Sequence, residues 1–384
     1  MKKKSKFCDL YFGRNLISII MILALLEKEK NYNKKILYIS NSKLKGYANH
    51  LNKSFLNLLE DFLKKYFDEI HYINYSRNLK KRTRISKIFE RSKNIELNEQ
   101  KIDLKIDNNY KVSKIYAGGD DFENLLLKKL NYFPKFHLIE HGYGPLRDSI
   151  FFKVNLKDIL FNTLVKFFYW IKLISYYPIS YYSYVGVLTK NISDDKFINC
   201  NLIKKNNNLE LGHILKKICK YIKEKKILKK KKFKFVLFNY SSIVISKNKK
   251  EFNSLLNKIS SLIDKKKECV LIKGHPNYLS SKTENFIKSL IKNFKKNNIN
   301  YMMIKNDNFL KILPSQIIVE LLRIKKIFSD LSTVPFHMSS NTSLKCYIPL
   351  DYSIKNVSRV IYITRDKKFK DFFYKIGKNV KFIK

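Results

Sequence analysis

The sequence lacks the glycine-rich motifs by which many nucleotide-binding proteins hold phosphate groups. It has 10 glycines in 384 residues, and none belongs to a G-x-x-x-x-G-K-[ST] phosphate loop or a G-x-G-x-x-G turn. The zinc-peptidase motif H-E-x-x-H is also missing. Two of the few glycines, Gly142 and Gly144, nevertheless lie close together, in a turn where the backbone can approach a ligand.

Cysteine is scarce too, and long apolar runs are missing. The five cysteines are Cys8, Cys200, Cys219, Cys269 and Cys346, and no C-x-x-C pair occurs among them. This pattern excludes a zinc ribbon and a disulfide framework, and it fits a reducing cytoplasm. Residues 159–188 are rich in Phe, Tyr and Ile, but Lys166, Lys172 and Pro178 interrupt them. We expect this segment to pack between domains, or to lie peripherally on the inner membrane, rather than to span it.

Acidic residues are few compared with basic ones. Lys and Arg number 78 against 32 Asp and Glu, a formal net charge of +46. Codons of an A/T-rich genome favour Lys, Asn and Ile, and this explains part of the excess of lysine. The lysines produce a positive electrostatic field around the protein whatever the reason for their abundance. The partner should be anionic: an acidic polysaccharide, a nucleotide-activated donor, an anionic membrane surface or a nucleic acid. Aromatic residues lie in apolar runs rather than among exposed basic residues, so a specific nucleic-acid partner is not expected.

Apolar runs of strand and helix type alternate along the chain. Residues 1–30 have basic residues ahead of an apolar run, but Asp9 and Arg14 interrupt it, and we predict a strand and an amphipathic helix rather than a signal peptide. Predicted strands lie at 6–12, 35–40, 69–73, 114–117, 136–139, 234–238, 269–272, 300–304 and 326–329. The predicted helices between them include 15–27, 47–66, 251–264 and 281–296.

This alternation predicts an α/β protein with two Rossmann-like domains, whose parallel sheets face a central cleft. The predicted division is an acceptor-side domain at 1–155, an aromatic and basic linker at 156–232, and a nucleotide-binding domain at 233–384.

Polar residues follow directly after the predicted strand at 136–139. Glu140 and His141 come directly after this run, where a carboxylate or an imidazole could take a proton from a hydroxyl group or merely cap a turn. An earlier strand leads into Gly118 and Gly119, followed by two aspartates. Adjacent carboxylates after glycines suit a helix N-cap better than a metal site, so no metal is expected.

Two further strand ends carry groups that could hold an anion. Lys273, Gly274, His275 and Pro276 end an apolar run, and the lysine and histidine could donate to a phosphate, although a buried core histidine is the ordinary alternative. Ser332 and Thr333 follow the predicted strand at 326–329 and could hold an anion or cap a helix. Because the carboxyl ends of parallel strands share one edge of a sheet, these groups predict a ligand cleft.

Together the motifs at Glu140–Gly142, His275–Pro276 and Ser332–Thr333 resemble those of the bacterial sialyltransferases of GT-B architecture. The nearest likeness is to the capsule α-2,8-polysialyltransferase family, which carries D/E-D/E-G, H-P and S-S/T motifs in this order. The resemblance implies a GT-B-like, metal-independent, inverting glycosyltransferase. Its donor would be CMP-activated sialic acid or a related nonulosonic acid, and its acceptor an anionic surface glycan of capsule or lipooligosaccharide type.

The resemblance also implies residue roles. Glu140 would be the general base and His275 would bind the departing phosphate. The donor-binding residues would be Lys273, Gly274, Pro276, Glu320, Ser332 and Thr333, with Glu320 at the ribose. No cofactor besides the donor substrate is implied, and the enzyme would be cytoplasmic, on or near the inner membrane.

One departure opens an alternative. The second acidic position of the first motif is His141, which would be the base if the family's base lies there. The run from His141 to Arg147 is also similar to the H-G-T-P-L-K turn of teichoic-acid glycerophosphotransferases, which use a CDP-linked polyol donor. From a different class, the charge alone would suit a non-catalytic polyanion-binding protein.

Overall fold

The chain forms two compact units. The computed structural model describes residues 6–13, 16–27, 32–40, 57–73, 106–117, 134–139, 178–183, 203–206, 208–225, 234–240, 249–274, 281–304, 310, 313–329, 334, 338, 343–349 and 380–383. One unit comprises residues 1–49 and 59–210, and the other comprises residues 50–58 and 211–384.

The first unit is built on a parallel sheet of seven strands. These are β1 (Lys6–Gly13), β2 (Lys34–Ser40), β3 (Glu69–Ile73), β4 (Tyr110–Ala117), β5 (Lys135–Ile139), β6 (Pro178–Ser183) and β7 (Ile203–Asn206). Their order across the sheet is β3-β2-β1-β4-β5-β6-β7. Helix α1 (Leu16–Leu26) connects β1 to β2, and a helical segment at 57–63 precedes β3.

Helix α1 differs from the amphipathic helix that the sequence predicts. Its sequence is LISIIMILALL, and Leu16 and residues 18–25 are buried. A helix that is apolar on every side has no polar stripe to turn towards water, so it is stable only when covered all round. It contacts β1 and β5.

The second unit is built on a parallel sheet of six strands. These are β8 (Lys234–Tyr240), β9 (Glu268–Gly274), β10 (Asn300–Met303), β11 (Lys326–Ser329), β12 (Lys345–Pro349) and β13 (Val380–Ile383). Their order is β10-β9-β8-β11-β12-β13. The helices are α2 (Asn208–Lys225), α3 (Lys249–Ser261), α4 (Ser281–Lys296) and α5 (Ser315–Leu321).

Both sheets follow the same strand order. In each, the first strand lies inside the sheet, the next two strands continue on one side, and the following strands continue on the other. This is the doubly wound order of Rossmann folds, and the direction of winding reverses between β1 and β4 and between β8 and β11. The predicted α/β class with two Rossmann-like parallel sheets is confirmed, whereas a cleft between them stays a prediction.

Described parts of the segment predicted as a linker, 156–232, lie in both units. They supply β6 and β7 to the first sheet, and α2, from Leu211 onward, to the second unit. Within the basic run at 216–234, α2 buries Ile218 and Ile222 on one side, whereas Lys216, Lys217, Lys220 and Lys223 are exposed. Much of 159–188 lies outside the described residues. In the described part of the chain, no helix combines the length and apolar character that a membrane crossing needs.

The two faces of the second sheet are covered differently. Val236, Phe238, Val270, Ile272 and Phe328 belong to one buried cluster with residues of α3 and α4. Since successive side chains of a strand alternate between faces, the residues at 237, 239, 271, 273, 327 and 329 point to the other face. That face meets α5, as the contacts of Asn239 show below.

Candidate functional site

Three polar side chains lie side by side at the carboxyl ends of adjacent strands in the second unit. Lys273 is next to last in β9, Asn239 is next to last in β8, and Ser329 ends β11. Asn239 is in register with Lys273 on one side and with Ser329 on the other. We call these three residues the polar row; strand alternation places them on one face of the sheet.

The polar row is buried and hydrogen-bonded. Asn239 is 8% exposed, Lys273 4% and Ser329 2%. The hydroxyl of Ser315, the first residue of α5, donates to Asn239 Oδ1 at 2.7 Å, and Asn239 Nδ2 lies within donating distance of Ser329 Oγ at 3.4 Å. Because buried polar groups are costly without partners, these bonds fix the amide between α5 and β11.

Lys273 places a buried amine at this edge of the sheet. Removing an ammonium group from water is costly, and Lys273 has an interaction partner within the protein. In doubly wound sheets, ligands bind outside the carboxyl ends of the strands where the winding reverses, and here that point lies between β8 and β11. The polar row therefore suits an anionic group such as a phosphate.

The structure brings some of the predicted donor-binding residues to this point. Lys273 and Gly274 end β9. Ser329, which is not among the predicted donor-binding residues, ends β11. His275 and Pro276 directly follow β9, and Ser332 and Thr333 follow β11 by three and four positions; these four residues lie outside the described part of the chain. The two strands that deliver them flank β8 on its two sides.

Glu320 lies elsewhere. It is next to last in α5, five residues after Ser315, which corresponds to about 7.5 Å of helical rise. Since Ser315 contacts the carboxyl end of β8 and α5 leads into the amino end of β11, Glu320 lies towards the amino ends of the strands. The placement does not favour the predicted contact with a ribose at the polar row, and that role stays a prediction.

In the first unit, the predicted catalytic residues follow β5. The predicted glycine turn follows the neighbouring strand, β4. Strands β4 and β5 are adjacent and parallel, with Ala117 in register with Leu138. Gly118 and Gly119 directly follow β4, and Glu140 and His141 directly follow β5. These four residues, with Gly142 and Gly144, lie outside the described residues. The described strands β4 and β5 thus end at the same edge of the sheet, in neighbouring positions.

An aromatic ladder holds these strands near that edge. Tyr11 of β1 stacks on Tyr116 of β4 at 4.8 Å, and Tyr116 stacks on His137 of β5 at 4.7 Å. All three are buried. Stacked rings on adjacent strands add stability beyond the area that they bury, so the positions from which the two loops start are well fixed.

Sequence reasoning missed Asn239 and Ser315. Each has a weak local signal: Asn239 is a polar residue near the end of an apolar strand, and Ser315 follows Pro314 at the start of a helix. Neither signal shows that the two side chains meet, because they are 76 residues apart in the sequence. Only the strand order places β8 between the two strands whose ends were predicted.

No protein-family model matches the chain, and no curated protein matches its sequence. Solved structures with similar folds include a protein of Listeria monocytogenes assigned as a UDP-N-acetylglucosamine 2-epimerase, at 9% identity and a TM-score of 0.47, over 98% of this chain and 92% of that one. The N-terminal domain of Candida albicans trehalose-6-phosphate phosphatase has 10% identity and a TM-score of 0.43, over 97% and 90% of the two chains. A variant of the wall teichoic acid polymerase TagF has 12% identity and a TM-score of 0.43, over 98% and 86%. These values leave the family of the chain open.

Proposed function

We propose that the chain is a glycosyltransferase that binds its nucleotide-activated donor at the polar row of the second unit. The observation that carries the proposal is the buried row of Lys273, Asn239 and Ser329 at the point where the winding of the sheet reverses. A cation and hydrogen-bonding groups at that point can hold a nucleotide phosphate without a glycine-rich loop.

The donor in this proposal is a CMP-activated sugar acid. Lys273 neutralises charge on the phosphate, and Gly274 lets the backbone approach it. His275, which directly follows, donates to the same phosphate as it leaves, while Ser332 and Thr333 hold it from the end of β11. These roles rest on the motif resemblance together with the strand ends that deliver the residues.

The transfer is a single displacement with inversion. Glu140 or His141 accepts the proton of the acceptor hydroxyl, and the hydroxyl oxygen forms a bond to the anomeric carbon of the donor sugar. The bond from that carbon to the CMP phosphate breaks, and its electron pair stays on the phosphate. Lys273 and His275 stabilise the added negative charge, which is the main electrostatic requirement of the step.

The transferred group is sialic acid or a related nonulosonic acid, and the acceptor is an anionic surface glycan. The net charge of +46 favours an anionic acceptor because it produces a positive field over long range. Reaction on the cytoplasmic side, at or near the inner membrane, belongs to the same proposal.

The second candidate is a polyol-phosphate transferase that uses CDP-glycerol or a similar donor. The sequence feature that favours it is the histidine at position 141, followed by a glycine and by Pro145, Leu146 and Arg147. Both candidates place a cytidine nucleotide at the polar row, so nucleotide binding tests what they share.

The first experiment measures the thermal midpoint of the protein with CMP, CDP, UDP or GDP, with and without magnesium. A ligand at 100 times its dissociation constant stabilises the folded state by about 2.7 kcal/mol, which is readily measured. We expect stabilisation by CMP without magnesium. A preference for CDP would favour the polyol-phosphate transferase, and no response to any nucleotide would contradict the proposal.

Two variants test whether the nucleotide binds at the polar row. Lys273→Met removes the cation, and Asn239→Asp places a carboxylate beside the phosphate while keeping an acceptor for Ser315. Both should abolish stabilisation by CMP and leave the midpoint of the free protein measurable. The matched control is Lys292→Met on the exposed side of α4. If the control loses the CMP response as fully as the two variants, the site is not at the polar row.

Turnover of a CMP-sialic acid donor tests the proposed roles of Glu140 and His141 in the first unit. Glu140→Ala, His141→Ala and His275→Ala should each be assayed for transfer and for CMP binding. Loss of transfer with retained CMP binding in Glu140→Ala identifies that residue as the base, and the same result in His141→Ala identifies the imidazole. Near-normal transfer in both would contradict a base in this loop.

A further inference from the structure

A second candidate site lies on the side of α2 and α5, and it includes none of the residues of the polar row. Side chains of α2 and of the end of α5 line a groove of about 390 Å³. The lining residues are Lys216, Cys219, Lys220, Lys223, Glu320 and Arg323. We call this the basic groove, since it carries four cations and one carboxylate.

The two walls of the basic groove are tied together. The thiol of Cys219 in α2 lies 3.6 Å from the carbonyl oxygen of Ile317 in α5 and can donate to it. Burial, with a smaller contribution from the charge of Glu320, raises the pKa of Cys219 to about 12, so the thiol keeps its proton. This contact joins the two helices whose residues line the groove.

The cations form a regular row. Lys216, Lys220 and Lys223 are exposed on one side of α2 at spacings of four and three residues, which places their Cβ atoms about 5 to 6 Å apart. Like charges so close repel each other in the absence of a ligand. A linear chain bearing one anionic group on each repeating unit would meet successive lysines.

Arg323 faces this row from a strained backbone position. Its φ angle is 53°, in the left-handed region that favours glycine. The position is the residue after the α5 C-cap, where Ile324 N–H donates to Val319 O at 2.9 Å and Arg323 N–H donates to Glu320 O at 3.3 Å. Glycine would adopt this backbone conformation with less steric strain. The presence of arginine therefore indicates a role for its side chain.

Glu320 restricts the chemical class of ligand that suits the basic groove. A carboxylate among four cations weakens the attraction for a polymer that offers only negative charge. The same carboxylate accepts hydrogen bonds from hydroxyl groups. A ligand with both anionic groups and free hydroxyls matches the whole lining of the groove.

We propose that the basic groove binds a linear anionic glycan, with the row on α2 and Arg323 on its acidic groups and Glu320 on its hydroxyls. This rests on the proposed function, whose acceptor is an anionic glycan, but binding can be measured without turnover and so is tested separately from catalysis. The concave shape and the carboxylate disfavour a flat anionic membrane. No described lining residue is aromatic, which disfavours stacked bases of a nucleic acid.

The test measures binding of a fluorescent oligogalacturonate of about eight sugars, which carries one carboxylate and free hydroxyls on each unit. The variant Lys216→Gln/Lys220→Gln/Lys223→Gln should weaken binding about tenfold or more and make it less dependent on salt. The matched control is Lys288→Gln/Lys292→Gln/Lys295→Gln on α4. It removes the same charge at the same spacing from exposed positions of the same unit.

An equal loss in the two triple variants would overturn the proposal, since net charge alone would then explain binding. So would an unchanged affinity in the α2 variant. Vesicles with phosphatidylglycerol and a single-stranded oligonucleotide serve as competing probes. If the α2 variant no longer binds the vesicles or the oligonucleotide but still binds the oligogalacturonate, the ligand of the groove is a lipid surface or a nucleic acid instead.

Two single variants test the remaining lining residues. Glu320→Leu removes the acceptor for hydroxyl groups as well as the charge, so it should weaken oligogalacturonate binding relative to binding of inorganic polyphosphate, which has no hydroxyl groups along its chain. Arg323→Gly should raise the thermal midpoint by relieving the backbone while weakening glycan binding. If both variants bind both probes as the natural protein does, Glu320 and Arg323 are not part of the site.

Discussion

At the residue scale, Gly13 shows how closely α1 packs on the end of β1. A Cβ atom added at Gly13 would lie 2.5 Å from Ile19 Cγ1 and 3.2 Å from Ile19 Cδ1. Ile19 is 1% exposed and surrounded by packed side chains, so it has little room to move. Glycine is needed here for space, at the carboxyl end of the strand beside the point where the winding reverses.

Gly13→Ala should lower the free energy of unfolding by about 1–3 kcal/mol, because the new methyl group overpacks the interface. Ile19→Ala alone should cost about 2–5 kcal/mol through the cavity that it leaves. The double variant removes the collision and should be more stable than the sum of the two effects predicts. Urea denaturation of the four proteins measures this, and strictly additive effects would show that the collision is absent.

At the same scale, the residue types of the polar row did not by themselves predict that its members lie together. Lys273 was predicted because it stands before a glycine, a histidine and a proline, a local pattern that the sequence displays. Asn239 and Ser315 carry no comparable pattern, yet they share a hydrogen bond of 2.7 Å. Their roles depend on neighbours that are distant in the chain.

At the element scale, β2 and β3 are joined by a charged cluster at their amino ends. The ammonium group of Lys34 contacts Glu69 Oε1, and Glu69 Oε2 lies 2.9 Å from His71 Nε2. Lys34 also lies 4.5 Å from the ring centre of Tyr110. The hydrogen bond with Lys34, with a smaller contribution from His71, holds the pKa of Glu69 below its usual value. The bond with Glu69 raises the pKa of Lys34.

Glu69→Gln should lower the free energy of unfolding by about 0.5–1 kcal/mol at neutral pH, a modest effect because both side chains remain partly exposed. The lowered pKa of Glu69 means that its contribution is present above pH 4.5 and is lost as the pH falls through the folded value. The raised pKa of Lys34 means that its contribution is present below pH 10.5 and is lost as the pH rises through the folded value.

Urea denaturation across this pH range checks the prediction, with Glu60→Gln as the control. Glu60 pairs with Lys64 at 3.0 Å within the helical segment at 57–63 and the turn after it, and both side chains are more exposed. The control should show little change. A stability difference for Glu69→Gln that persists unchanged at pH 3 would rule out this pair as its source.

Elements with strong patterns were predicted best. The bounds of α4, β3 and β11 agree with the prediction, because the helix shows apolar residues at spacings of three and four and each strand is a compact run between polar segments. Strand β7 was missed because it has four residues, Ile-Lys-Lys-Asn, and no apolar alternation. It forms by pairing with β6, a contribution that no local pattern displays.

At the scale of the whole molecule, the charge of +46 acts on stability as well as on partners. Lysines are spread through both units, so the folded chain holds many like charges at short range. Repulsion among them destabilises a compact state, and salt screens it, with a Debye length of about 30 Å at 0.01 M and about 8 Å at 0.15 M.

The thermal midpoint should therefore rise as sodium chloride increases from about 0.01 M to about 0.15 M. Differential scanning fluorimetry in a dilute buffer measures it, with sucrose at equal osmolality as the control for effects that do not involve charge. A midpoint that falls steadily with salt would mean that attractive ion pairs outweigh the repulsion.

The sequence by itself determined the class of the protein and most of its strands and helices. Apolar periodicity and chain length suffice for these because each element buries one side whichever neighbours it finds. The sequence also marked Lys273 and Gly274 at the end of a strand. The basic run at 216–234 suggests a solvated helix and linker, and the burial of Ile218 and Ile222 on one side of α2 was not predicted.

Tertiary structure decided which strand ends lie together. The order β9-β8-β11 puts Asn239 between Lys273 and Ser329, and α5 brings Ser315 onto Asn239. It also set the lysines of α2 opposite Arg323 and Glu320. Both sites are made by residues far apart in sequence. Their proximity comes from sheet pairing and helix packing, which depend on the whole buried surface rather than on any local pattern.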